Sequence, residues 1–307
     1  MNNDVDENQT WTSINEEIGN FTNDSAMMIA YERALETSKG AEIALFQDPL
    51  AKLLQGSKGE TLSKNFGEYA TAFGFTGWPD FHKTWTAVRT KFIDDRIQEY
   101  IDKGGETPAQ MVNLGAGFDT RAYRLECYKK FTKVFDVDMK VINEAKEKAF
   151  DLIMKNYQMN KHNCEKIETI SLDFLDQEKN LSSELSNAGF SKNKPTIFVA
   201  EGLLMYLGFG KTRFLKDVSN TAPPGSVLIL NFMAHLNEEE GREKDPTYMS
   251  TKDLVQLLVA EGWDNSSITI NQFGDSVLNY GRYPNDKFEE SPSFSFLVCK
   301  KLLCQPI

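Results

Sequence analysis

After Gly104-Gly105 the chain changes texture, and short runs rich in β-branched and aromatic residues begin to alternate with amphipathic stretches. That alternation is the strongest constraint in the sequence. A strand joined to a parallel neighbour needs a crossover of about a dozen residues or more, and a helix supplies it. The strand-like runs are 110–115, 132–137, 166–172, 195–200, 226–232, 267–273 and 293–300, seven in all. Helical periodicity occupies 141–157, 181–188, 212–221 and 251–261, the last with Asp253 in its first turn, where an acid suits the helix dipole. The sixth and seventh runs are separated by an irregular stretch, FGDSVLNYGRYPNDKFEESP, instead of a helix. A hairpin-like closing pair with one antiparallel strand is expected there. The expected fold is α/β, a doubly wound, mostly parallel sheet of seven strands and Rossmann-like type.

Upstream, from residue 26 to 103, apolar positions recur at helical spacing, as in MMIAYERALE and WTAVRTKFIDDRIQEYI. The texture predicts a helical N-terminal segment or lid over 1–105, with 1–24 flexible, and an α/β core over 106–307. A length of 307 residues suits one large domain, or a core with an accessory segment. Phe73, Phe75, Trp78 and Trp85 would be apolar lid walls or plain packing surface.

Charge and cysteine usage exclude several classes. Lys and Arg total 34 against 45 Asp and Glu, a net charge of -11, so the molecular field repels polyanions and no nucleic-acid partner is expected. The four cysteines show no CxxC spacing and the three histidines no HExxH pattern, so neither a metal site nor a disulfide framework is indicated. The N-terminus MNNDVDENQT lacks the basic and apolar regions of a signal peptide, and no apolar run reaches membrane-spanning length. A cytoplasmic protein without a membrane partner is expected.

In an open α/β sheet the ligand crevice lies outside the carboxyl ends of the strands, so the residues just after each strand carry the chemistry. After the first run, Gly115-Ala116-Gly117 lets the backbone pass close to a ligand. The dinucleotide fingerprint wants a third glycine where this chain has Thr120, which weakens a pyrophosphate and with it a nicotinamide oxidoreductase. Asp138 ends the second run, 23 residues after Gly115, placed to accept from two ribose hydroxyls or to cap the next helix. Asp173 and Phe174 follow the third run, where an acceptor and an aromatic suit a purine, although Phe174 is equally suited to the core. Glu201 follows the fourth, in a turn so apolar that its carboxylate needs a cation or hydrogen-bond donors.

LGAGFDTRAYRL, VFDVD, SLDF and AEGLLMYL, with FQDPLAKLL and VRTKFIDD upstream, resemble in order and spacing the S-adenosylmethionine-dependent methyltransferases of the leucine carboxyl methyltransferase family. The resemblance spans roughly residues 25 to 300 and implies a class I methyltransferase-like fold with S-adenosyl-L-methionine as cofactor. It implies that Gly115 lies beside the methionine part, with Gly117 in the same turn, and that Asp138 holds the ribose. It further implies that Asp173 and Phe174 frame the adenine, that Glu201 contacts the methionine moiety, and that Arg89 pairs with the methionine carboxylate. Spacing alone would make Arg89 an ordinary helix-surface charge. DTRAYRL follows the family's bacterial small-molecule branch. The lysine that protein-directed members place in the first helical stretch has no equivalent between Ala26 and Ala34, which argues against methylation of a protein C-terminus.

Methyl transfer from a sulfonium is an in-line displacement, so alignment and exclusion of water matter most. A carboxylate acceptor, with an ordinary pKa near ~4, is already ionised at neutral pH, whereas a hydroxyl acceptor needs a base. The expected activity is therefore O-methylation of a small-molecule carboxylic acid. The alternative is hydroxyl methylation using His235, which follows the fifth run and has a structural role as its other explanation. Arg121 would orient an acidic acceptor or anchor its helix, and Tyr206 would orient the acceptor or pack in the core. A catalytically silent cofactor-binding partner protein is the non-enzyme alternative.

Overall fold

Two five-residue segments, Gln110–Leu114 (β1) and Thr196–Ala200 (β4), are buried at every position, so neither face of the sheet is wet where they lie side by side. Such continuous apolar strands belong at the centre of a parallel sheet. In the computed structural model they are joined by Lys133–Asp138 (β2), Lys166–Ser171 (β3), Val227–Ala234 (β5), Ser266–Thr269 (β6) and Ser293–Lys300 (β7). The structure describes residues 24–72, 78–103, 110–157, 162–234, 237–264, 266–269, 276–282 and 293–303.

The sheet has seven strands in the order β3-β2-β1-β4-β5-β7-β6. β1 to β5 pair in parallel, and β7 inserts antiparallel between β5 and β6. The one antiparallel strand expected from the irregular final connection is thus β7. The chain winds from β1 outward to β3, then restarts at β4 on the other side of β1, which places the reversal of strand order between β1 and β4. β3 is an edge strand, and its ion pair between Lys166 and Glu168 at 2.7 Å puts charge where an unpaired edge would invite another strand.

Ten α-helices are described: α1 (Asp24–Thr37), α2 (Ala51–Leu54), α3 (Gly59–Ala72), α4 (Trp78–Asp102), α5 (Arg121–Arg124), α6 (Lys140–Tyr157), α7 (Leu181–Asn187), α8 (Lys211–Thr221), α9 (Glu238–Lys244) and α10 (Thr251–Ala260). Between β1 and β2 the crossover carries only the four-residue α5 and a 3-10 turn, Glu126–Lys130, where a full helix would be usual. α10 starts where its acidic first turn predicts, and Ser250 completes a capping box: its hydroxyl accepts from the Asp253 N–H at 3.1 Å and its own N–H donates to the Asp253 carboxylate at 3.0 Å.

The described residues fall into two compact units that interleave along the chain. The first takes its residues from Met1–Phe92, Gly117–Glu126 and Lys140–Asn163, the second from Ile93–Ala116, Cys127–Met139 and Cys164–Ile307. In the first unit, Met27 and Ala30 of α1, Leu54 of α2, Phe118, and Ala149 and Ile153 of α6 share one apolar core. Trp85 on α4 is also buried in this unit. In the second unit, alternate residues of the strands, among them Val112, Leu114, Phe135, Val137, Phe198 and Leu228, share a core with Leu185 of α7, Phe214 and Val218 of α8, and Leu254 and Leu258 of α10. Trp263, 1% exposed, closes this core and donates its indole N–H to Ser219 Oγ at 2.8 Å.

Phe198 lies at the centre of β4 with no exposed surface. Replacing it by Ala leaves a cavity that flanking strands cannot fill, at a cost of about 3–5 kcal/mol. A lowered denaturant midpoint by circular dichroism is the expected outcome.

Candidate functional site

Because β1 to β4 run parallel, their carboxyl ends share one edge of the second unit, with Leu114 in register with Val137 and Ala200, and Asp138 with Ser171. Gly115 leaves β1 there, donating its N–H to the Val137 carbonyl at 2.8 Å. Its φ of +70° favours glycine, and a Cβ would stand 3.0 Å from Leu203 Cδ1, so a side chain there is strained by its conformation and requires Leu203 to shift.

Three acids follow the neighbouring strands on that edge. Asp138 ends β2, half-buried, and accepts from the Met139 N–H at 2.7 Å. Asp173, exposed, comes just after β3 and accepts from the Leu175 N–H at 2.8 Å. Glu201, half-buried, follows β4 directly, where Gly202 turns with φ +62° and donates its N–H to Asn231 Oδ1 at 2.7 Å. Phe174 packs against the second unit's core, its ring edge-on to Phe214 at 5.0 Å. A cavity of about 10 Å³ lies beside it, lined by Leu172, Leu181 and Arg213 among others. Tyr206 is 61% exposed on the 3-10 turn Leu204–Tyr206, which removes core packing as its role.

Three further expected residues, Arg89, Gly117 and Arg121, lie in the first unit. Arg89, on α4, is 5% exposed, so the helix-surface charge that spacing suggests is corrected: the polar sequence around it does not reveal that this side of α4 is covered. Gly117 has φ +41°. Arg121 is 3% exposed and its guanidinium pairs with the Asp119 carboxylate, which also accepts the Arg121 N–H at 2.7 Å. His235, Phe73 and Phe75 lie outside the described residues. His82 bonds through Nδ1 to Glu32 at 2.9 Å, and His162 sits edge-on to Tyr123 at 6.0 Å.

Among the buried carboxylates of the first unit, Asp48 and Glu32 gather the most side-chain donors and have no counterpart in the sequence-based site. Asp48, with no exposed surface, accepts from Arg33 Nε at 2.9 Å, Thr120 Oγ1 at 2.7 Å and the Ala51 N–H at 3.1 Å, while Arg124 Nε stands 3.9 Å away. Glu32 accepts from Thr86 Oγ1 at 2.6 Å and Ser63 Oγ at 2.9 Å besides His82. Burial alone would raise both pKa values. The Arg33 charge, then Arg124 and the Thr120 hydroxyl, outweigh it at Asp48, and His82, Thr86 and Ser63 outweigh it at Glu32, so both carboxyls are held below their ordinary range. Asp48-Pro49 preceding an apolar run is a readable capping signal, but Arg33 and Thr120 lie 15 and 72 residues away in sequence, so the shared acceptor is visible only in three dimensions.

Among the described residues, no group of His, Cys, Asp or Glu is placed to hold a metal ion, and no helix is long and apolar enough to cross a membrane.

Residues 26–215 match the sequence model of the leucine carboxyl methyltransferase family. A protein of Mycobacterium bovis named as an S-adenosyl-L-methionine-dependent methyltransferase is 30% identical over 273 residues, covering 84% of this chain and 69% of its own. One of the same description from Parafrankia sp. is 30% identical over 216 residues, covering 70% and 64%. Among solved structures, a duf574 family protein from Streptomyces avermitilis shares the fold, with a TM-score of 0.53 at 12% identity over 94% of this chain and 99% of that one. The chain belongs to the leucine carboxyl methyltransferase family and is an S-adenosylmethionine-dependent methyltransferase.

Depressed carboxyl pKa values give a signed expectation for stability. Asp48 and Glu32 bind protons less readily folded than unfolded, so their contribution is fully present above the unfolded values near ~4 and is lost as pH falls through the folded ones. Thermal melts are expected to drop steeply below about pH 4, and less steeply in Asp48→Asn and Glu32→Gln, whose amides do not titrate there.

Proposed function

We propose that this member of the leucine carboxyl methyltransferase family methylates an oxygen of a small molecule, most directly a carboxylate, as in the family's bacterial small-molecule branch. The observation that carries the site is the shared edge: Gly115, Asp138, Asp173 and Glu201 leave β1, β2, β3 and β4 at one end of four adjacent parallel strands. The residues fit the cofactor, since the positive φ at Gly115 keeps the turn free of a side chain and each following strand brings an acceptor. When bound, the cofactor supplies an electrophilic methyl group on a sulfonium.

In this proposal Asp138 accepts from the ribose hydroxyls, Asp173 from the adenine amino group, and Glu201 from the methionine ammonium. The family resemblance gives Arg89 the methionine carboxylate. Tyr206, exposed on the 3-10 turn five residues after Glu201, orients the acceptor by hydrogen bonding. The pairing of Arg121 with Asp119 supports its role as a helix anchor over direct contact with the acceptor.

A carboxylate acceptor needs no proton removed, which agrees with what holds the described histidines. His82 is committed to Glu32 and His162 sits edge-on to Tyr123, both in the first unit. A hydroxyl acceptor is the second reading, favoured by the position of His235 in the chain, one residue past the end of β5.

Two measurements test this. S-adenosylhomocysteine at about 100 times its Kd is expected to add about 2.7 kcal/mol of stability and NAD none, and Asp138→Ala is expected to abolish the shift; an unchanged affinity would displace the ribose from Asp138. Product labelled from the cofactor's methyl group is expected to release methanol in mild alkali, as an ester does. Alkali-stable label, lost in His235→Ala while cofactor binding persists, would establish the ether reading instead.

A further inference from the structure

The segment that continues the glycine turn is held in the first unit by a pair of residues with no assigned role. The Phe118 carbonyl accepts from Arg33 Nη2 at 2.8 Å, and Thr120 Oγ1 donates to Asp48 Oδ2 at 2.7 Å. Arg33 and Asp48 are themselves joined at 2.9 Å, so one buried ion pair grips the chain at a backbone atom and at a side chain two residues apart. Phe118 is 2% exposed in the first unit's apolar core, which adds a third point of attachment.

Thr120 shows what the segment gives up for this. It stands at the N-cap position of α5, where a threonine hydroxyl ordinarily accepts from the helix, yet it makes no cap bond. The Asp119 carboxylate accepts the Arg121 N–H instead, leaving the Thr120 hydroxyl for Asp48. Asp48 in turn is fixed by its own backbone, with its N–H donating to Thr37 Oγ1 at 3.0 Å and its Oδ1 accepting from Ala51. A buried carboxylate so fully hydrogen-bonded holds one position, and whatever bonds to it inherits that position.

We propose that Asp48, with Arg33, is the positioning residue of the cofactor turn: it fixes Phe118 and Thr120, and through them the backbone leaving Gly117, in the conformation that binds S-adenosylmethionine. This rests on the assignment of the Gly115–Gly117 turn to the cofactor. Asp48 does not touch the cofactor; it acts through the loop. Glu32 supplies the contrast, because it is a buried carboxylate of the same unit with an equally complete hydrogen-bond set, on Ser63, His82 and Thr86, none of which belongs to the turn.

The experiment is calorimetric titration of S-adenosylhomocysteine into the full-length wild type and Asp48→Asn, Thr120→Val, Thr120→Ser, Glu32→Gln and Asp138→Ala variants, with thermal melts of each. Asp48→Asn and Thr120→Val are expected to weaken binding by about tenfold or more, since each removes at least one hydrogen bond to a charged group. Thr120→Ser, which keeps the hydroxyl, is expected to stay within about threefold of wild type, and Glu32→Gln to lower the melting temperature without weakening binding. The proposal is overturned if Thr120→Val binds as wild type does, or if Glu32→Gln weakens binding as much as Asp48→Asn. Should Asp48→Asn not fold, the Thr120 pair decides. If Asp138→Ala weakens binding and Thr120→Val does not, only the positioning role fails; if neither does, the assignment of the turn fails with it.

Discussion

The rest of the molecule depends on β1 and β4 being buried on both faces while lying side by side and parallel. Strands covered on two sides are joined by crossovers and not by hairpins, which forces every connection among β1 to β5 to start from the same edge of the sheet. Winding outward from β1 to β3 and then restarting at β4 leaves a gap in the connections at that edge. Whatever the chain places just after β1, β2, β3 and β4 is therefore gathered beside the gap, and here it places a glycine turn and three acids.

Burial of charge shapes the first unit as burial of apolar surface shapes the second. Asp48 and Glu32 stand inside a helical core where an unpaired carboxylate would cost several kcal/mol, and each is matched by a cation or histidine and by hydroxyl donors. Such pairs add little net stability, but they tolerate only one arrangement of their partners. The segment with the most to gain from a single arrangement is the one that continues the glycine turn, and there Asp48 accepts from Thr120 while its partner Arg33 donates to the Phe118 carbonyl.

Much of the fold was legible residue by residue. The seven runs of β-branched and aromatic residues match the seven strands, the start of α10 follows its acidic first turn, and the irregular stretch before the last strand foretells the antiparallel β7. Local signals fail where the cause is distant. Arg89 sits among Thr and Lys residues that suggest a surface, yet it is 5% exposed. Thr120 looks like a blemish in a glycine fingerprint, while its actual partner is Asp48, far upstream. Tyr206 lies in an apolar run that suggests core, and the 3-10 turn after β4 turns it outward.

The sequence by itself determined the class of fold, the order of the strand-end acids and, through its motifs, the family, because periodicity, glycine placement and the spacing of residues after strands are local properties of the chain. Only the tertiary structure decided which polar residues are buried and what satisfies them. Hydrogen bonds such as those from Arg33 and Thr120 to Asp48 join positions whose sequence separation carries no information about their distance. A carboxylate's pKa, and the rigidity it lends to a loop, come from those partners and not from its neighbours in the chain.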